Sequence, residues 1–163
     1  MVLLRLWDLS EYKKIIWNAS KVPKVQGGSL RQVMIPLSNF NKTKSFIMFY
    51  QNVRGLLKPE ELISFLSPDF PQLLCWTEHH LKCTEIDFIY MDQYKLGTKF
   101  CRESLKNGGV SIFVHDTFQC TNINLDEFCK EQDTEACAVR LILSYLTICI
   151  ISIDHQREIF HIS

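Results

Sequence analysis

Between residues 46 and 153 short apolar runs alternate with brief polar connections. Phe46-Ile-Met-Phe-Tyr50 is a continuous apolar run of strand length, rich in aromatic and branched side chains, as expected of a strand covered on both faces. Gln51-Asn52-Val53-Arg54-Gly55 turns the chain, and the next apolar residues change to helical spacing. Pro59 suits the first position of a helix, Glu60 and Glu61 favour its positive end, and Leu62, Ile63, Phe65 and Leu66 give it one apolar side before Ser67-Pro68 stops it. Gln72-Leu-Leu-Cys-Trp-Thr77 then reads as a second buried strand ending at Glu78. Strand, helix and strand of this size make one βαβ unit, with the two strands parallel and adjacent. The later runs, Tyr94–Thr98, Val110–His115, Phe118–Ile123, Ala136–Leu143 and Leu146–Ile153, follow one another too closely for crossovers, and predict an antiparallel meander. The fold class is therefore α/β, one βαβ unit and then a meander.

The segment before residue 45 has a different texture. Leu9–Trp17 suggests a short helix, but Pro23 and Gly27-Gly28 lie in a stretch with linker chemistry. Residues 1–44 are expected to form a basic leader, partly disordered. Composition sharpens that division. The 163 residues carry 18 basic and 18 acidic side chains, a formal charge of zero. Eight basic residues against two acidic ones give 1–44 a net +6, and the remainder, with 10 basic and 16 acidic residues, carries −6. The overall balance thus says nothing against a nucleic-acid partner, because it sums two unlike segments.

Seven cysteines without a CxxC pair fit a reducing compartment, so an intracellular location, nuclear or cytoplasmic rather than secreted, is expected. No apolar run is long enough to span a bilayer, and no membrane association is expected. Cys75, His79 and Cys83 are spaced by four, but Cys75 falls inside a buried strand and no fourth ligand follows at zinc-finger spacing.

The chemistry that the pattern does place lies at two strand ends. Asn52 and Glu78 each follow the carboxyl end of an apolar strand, and in an open α/β sheet ligands bind in the crevice beyond those ends. A carboxylate and a carboxamide meeting there supply oxygen ligands for a hard cation such as Mg²⁺ (or Mn²⁺). A turn asparagine and a solvated terminal glutamate would look the same in sequence.

The wording of the motifs goes further. Gln51-Asn52-Val53-Arg54-Gly55-Leu56, then Leu74-Cys75-Trp76-Thr77-Glu78-His79-His80-Leu81, resemble the opening of the endonuclease/exonuclease/phosphatase superfamily. The resemblance is nearest to the apurinic-type endonuclease domain of non-LTR retrotransposon polyproteins. Arg102 followed by Asn107-Gly108-Gly109-Val110-Ser111-Ile112-Phe113-Val114 is similar to that group's Arg…Gly-Gly-Val strand. Glu135–Leu141 and Thr147–Ile153 are similar to its next two strands, so the likeness runs in order over residues 46–153.

The resemblance implies a two-sheet α/β sandwich and Mg²⁺-dependent hydrolysis of a DNA phosphodiester. Glu78 would hold the cation, Asn52 would position the metal site and the scissile phosphate, and Arg54, His80 and Arg102 would meet substrate phosphates. The sequence also departs from the family. Asp154-His155-Gln156-Arg157 stands where a Tyr-x-x-Pro-like turn is expected, and the family's later Asp-x-Asn, Asp and Ser-Asp-His motifs have no counterpart. The expectation is the N-terminal half of such a domain over 45–153, with a divergent tail at 154–163 and the second half of the fold missing. That half would lack the base that activates water and would leave the inner face of its sheet exposed, open to a partner chain. The alternative is a non-catalytic remnant acting as a nucleic-acid- or protein-binding module.

Overall fold

The computed structural model describes residues 2–8, 13–18, 31–36, 45–55, 70–143 and 146–155, with side chains in 46–55 and 70–142. In chain order the strands are β1 (Val2–Asp8), β2 (Lys13–Asn18), β3 (Arg31–Pro36), β4 (Ser45–Asn52), β5 (Leu73–Thr77), β6 (Tyr94–Phe100), β7 (Val110–His115), β8 (Gln119–Ile123), β9 (Thr134–Leu143) and β10 (Leu146–His155). One short helix, α1 (Cys83–Ile86), lies between β5 and β6. The strands form two five-stranded sheets, one ordered β2-β1-β10-β9-β8 and the other β3-β4-β5-β7-β6. The architecture is of mixed α/β character, two sheets built mostly of strands.

All seven runs read from the pattern after residue 45 are strands. β4 and β5 are parallel neighbours, with Asn52 opposite Thr77. β6–β7, β8–β9 and β9–β10 pair antiparallel, as their short connections require. The expected helix over 59–66 and the linker around Pro23 and Gly27-Gly28 lie outside the described residues.

Three expectations are corrected. The helix at Leu9–Trp17 is not formed, because Lys13–Asn18 is a strand paired antiparallel with β1. Ile15, Ile16 and Trp17 are branched or aromatic, and such residues suit a pleated strand better than a helix. The segment 1–44, expected as a leader, contributes three strands: β1 pairs along its length with β10, β2 with β1, and β3 with β4. Nor do the strands after residue 45 lie in one sheet with a bare inner face. The chain crosses from one sheet to the other at the turn Asp116–Phe118, between β7 and β8.

The second sheet then covers the first. Phe46, Met48 and Tyr50 of β4, Leu73 and Cys75 of β5, and Val110, Ile112 and Val114 of β7 form one buried cluster with Cys137, Val139 and Leu141 of β9. These are alternate residues on each strand, as the two-residue period requires. The intervening residues face the other way, where Phe49, Leu74, Trp76 and Phe113 pack against Ile86 of α1, Met91, Tyr94 and Cys101. The Trp76 and Phe113 rings lie 4.7 Å apart, centroid to centroid. β4, β5 and β7 are thus buried on both faces, which is why they read as continuous apolar runs. Fully burying each large apolar side chain contributes about 1.5–3 kcal/mol, so the double-sided sheet is a rigid base for its carboxyl end.

Candidate metal and phosphate site at the strand ends

At the carboxyl ends of β4 and β5 the inter-sheet core turns polar. The Tyr50 hydroxyl and Thr77 Oγ1 share a buried hydrogen bond of 2.8 Å between the two strands. Just beyond it both strands end, β4 at Asn52 and β5 at Thr77, and the chain turns. Val53 N–H donates to the Thr77 carbonyl at 2.9 Å, and Gly55 N–H donates to the Glu78 carbonyl at 2.8 Å. The Asn52 and Glu78 segments are therefore tied backbone to backbone. Both residues are half-buried, and Asn52 Oδ1 accepts a 3.2 Å hydrogen bond from Arg54 N–H.

The backbone here is strained. Arg54, Glu78, His80 and Asn107 adopt positive φ of 45°, 54°, 62° and 67°, and Gly55, Gly108 and Gly109 join them at 99°, 92° and 88°. Among the described residues only Gln93 and Gln132 adopt positive φ elsewhere. A non-glycine residue in this region costs about 1–2 kcal/mol, and such outliers gather at functional sites.

The structure brings four of the five expected site residues together. Asn52 and Arg54 occupy the first turn, and Glu78 and His80 the second. His80 N–H donates to the Gly108 carbonyl at 2.8 Å. Its ring lies beside Gly55, where an added Cβ would be 3.4 Å from His80 Nδ1. Arg54 is exposed.

Arg102, the fifth, is placed differently from the expectation. It is buried, and its Nε donates to Glu135 Oε1 of β9 in an ion pair that is itself buried. The geometry makes it an internal tie rather than a group offered to a phosphate. Glu135 also accepts from Gly109 N–H through Oε2 at 2.7 Å and from Gln132 N–H through Oε1 at 3.2 Å. Burying a lone carboxylate would be costly, and here a guanidinium and two backbone amides offset that cost.

Neither the Cys75–His79–Cys83 spacing nor the motif around Glu78 predicts the burial of His79. His79 is fully buried, with its Nδ1 accepting from Leu81 N–H at 3.1 Å and its Nε2 donating to the Phe100 carbonyl at 3.3 Å. That arrangement requires the neutral ring protonated on Nε2. Burial pushes its pKa down from 6.5 to about 4, against the smaller opposing pull of the Phe100 and Val110 backbone. His79 is a packing residue, and neither nitrogen is presented to a ligand.

A hard cation fits the donor chemistry of Asn52 and Glu78. Mg²⁺ takes one or two carboxylates and completes its shell with waters and phosphate oxygens, and a carboxamide oxygen is an acceptable further ligand. Among the described residues, no three His, Cys, Asp or Glu side chains gather as a metal cluster, so these two would act with water and substrate. Comparison with protein-family models, curated proteins and solved structures finds no match to this chain.

Proposed function

We propose that the Asn52–Glu78 end is a Mg²⁺-dependent phosphodiester site of the endonuclease/exonuclease/phosphatase kind, with DNA as its substrate class. One observation carries this reading. Asn52 closes β4 and Glu78 follows its parallel neighbour β5, and backbone hydrogen bonds tie the two strand ends together. That is where an open α/β sheet binds its ligands. The ordered motif resemblance over 46–153, including the retrotransposon type of endonuclease, is consistent with the same reading.

Each side chain then has a role. Glu78 is the carboxylate ligand of the cation, and Asn52 orients the phosphate beside it. Arg54, at the solvent side of the same turn, pairs with a DNA phosphate, to which a guanidinium is geometrically matched. His80 contributes a donor from the second turn. When bound, the cation would polarise a phosphoryl oxygen and stabilise charge on the leaving oxygen.

The general base is a separate requirement, and its loss typically costs 10²- to 10⁴-fold. His79 does not meet it, because both of its nitrogens are committed internally. The activity proposed for these 163 residues is therefore cation-dependent engagement of DNA phosphates, with cleavage no faster than in a Glu78→Gln control. The test is fluorescence anisotropy of a labelled duplex with and without Mg²⁺, beside nicking of supercoiled DNA. Binding that gains from Mg²⁺ in the native chain but not in Glu78→Gln supports the reading. Binding indifferent to both Mg²⁺ and Glu78 refutes the site, and Glu78-dependent nicking refutes the limit placed on it.

A further inference from the structure

Glu135 belongs to the opposite sheet from Asn52 and Glu78, yet an unbroken series of contacts joins it to them. It stands in phase with Cys137, Val139 and Leu141, on the face of β9 that meets the other sheet, and is 1% exposed. Both carboxylate oxygens reach the connection that leads into β7. Oε1 takes the Arg102 Nε–H, and Oε2 takes the Gly109 N–H at 2.7 Å.

Each of those contacts holds a glycine against a side chain. The Arg102 guanidinium lies so close to Gly108 that an added Cβ would be 2.2 Å from Nε, and a Cβ on Gly109 would be 2.4 Å from Cε1 of His79. Both distances are shorter than any real Cβ contact, so only glycine allows this approach. Gly108 in turn gives its carbonyl to His80 N–H, and the Glu78 carbonyl receives Gly55 N–H from the Asn52 turn. His79 and His80 are thus held against the Gly108–Gly109 backbone, which Glu135 fixes, and Glu78 immediately precedes them in the chain.

We infer that Glu135 is a positioning residue for Glu78: it clamps Arg102 and the Gly108–Gly109 backbone, and through His79 and His80 it holds the left-handed Glu78 turn in the geometry that binds a cation. Glu135 touches no ligand itself. Partners that orient a metal ligand from outside the coordination shell typically govern 10- to 100-fold in affinity. The inference rests on the reading of Glu78 as the cation ligand, and the experiment separates the two.

The experiment has two arms on the full chain. The first records ¹H–¹⁵N shifts of the Glu78 and His80 amides in Glu135→Gln, in Arg102→Lys and in the control Glu131→Gln. Glu131 bonds Glu103 N–H and Ser104 N–H of the same connection, away from the glycines. The second titrates Mn²⁺ by the electron-spin resonance of the free ion. The expected result is displaced Glu78 and His80 amides in Glu135→Gln and Arg102→Lys but not in Glu131→Gln, and about tenfold weaker Mn²⁺ binding in Glu135→Gln. Should Glu135→Gln fail to fold, Arg102→Lys decides the question, since it keeps the carboxylate and removes the guanidinium packed on Gly108. Unmoved Glu78 and His80 amides beside a displaced Gly108 or Gly109 amide would overturn the inference, as would unchanged Mn²⁺ affinity in Glu135→Gln. Absence of Glu78-dependent Mn²⁺ binding in the native chain would instead sink the cation site, and the amide arm alone would then judge whether Glu135 positions Glu78.

Discussion

Gly109 and the His79 ring are in such close contact that a Cβ on Gly109 would lie 2.4 Å from His79 Cε1 and 2.6 Å from Nε2. The glycine also sits at φ 88°, a conformation that other residues adopt only with strain. Two independent penalties therefore meet in Gly109→Ala, about 1–2 kcal/mol of backbone strain and about 1–3 kcal/mol of overpacking. The variant is expected to lose about 3 kcal/mol of unfolding free energy in urea. A loss below about 0.5 kcal/mol, the size of an ordinary surface substitution, would show that the contact is not made.

The Arg102–Glu135 pair should behave as a buried ion pair, in which removing one partner is worse than removing both. Arg102→Met or Glu135→Leu alone leaves an uncompensated buried charge and is expected to destabilise by about 3–5 kcal/mol. The double variant Arg102→Met with Glu135→Leu should recover a large part of that loss in urea unfolding. Strictly additive losses would mean that the two side chains do not depend on each other.

His79 sets a pH dependence whose direction follows from its environment. Its folded pKa is lowered from 6.5 to about 4, with burial the largest cause. Between those values the unfolded chain binds a proton that the folded chain refuses. The stability that comes with the neutral ring is present above pH 6.5 and is lost as the pH falls from 6.5 toward 4. This one group should lower unfolding free energy by about 2 kcal/mol between pH 7 and pH 5. The direct check is an NMR titration of the His79 ring. Resonances constant down to about pH 5 and moving near 4 agree with the structure, and a midpoint near 6.5 disagrees with it.

What the sequence disclosed follows from how far each signal reaches along the chain. β4, β5 and β7 were legible because both of their faces are buried, so every position in Phe46–Tyr50 or Leu73–Thr77 had to be apolar or small. Asn52 and Glu78 were legible as strand-terminal polar residues, and their neighbourhood followed from the parallel pairing of β4 with β5. β1 and β2 were not. Val2–Asp8 is a strand because it pairs with β10, some 150 residues later, and no local pattern reports that partner. Arg102 was misplaced for a similar reason. An arginine before a glycine pair reads as a surface cation until Glu135, 33 residues on, is known to face it. One local sign of Glu135 did exist. It continues the alternation of Cys137, Val139 and Leu141, and a carboxylate in phase with a core face must have a buried partner.

Glu78, beside Asn52, is proposed as a cation ligand. Titrating the chain with Mn²⁺ and following the free ion by electron-spin resonance tests it most directly, with Glu78→Gln and Asn52→Ala alongside and Mg²⁺ as competitor. The expected result is one Mn²⁺ site displaced by Mg²⁺, weakened about tenfold or more in Glu78→Gln and less in Asn52→Ala. Equal Mn²⁺ affinity in the native chain and in Glu78→Gln, or no competition by Mg²⁺, would contradict it.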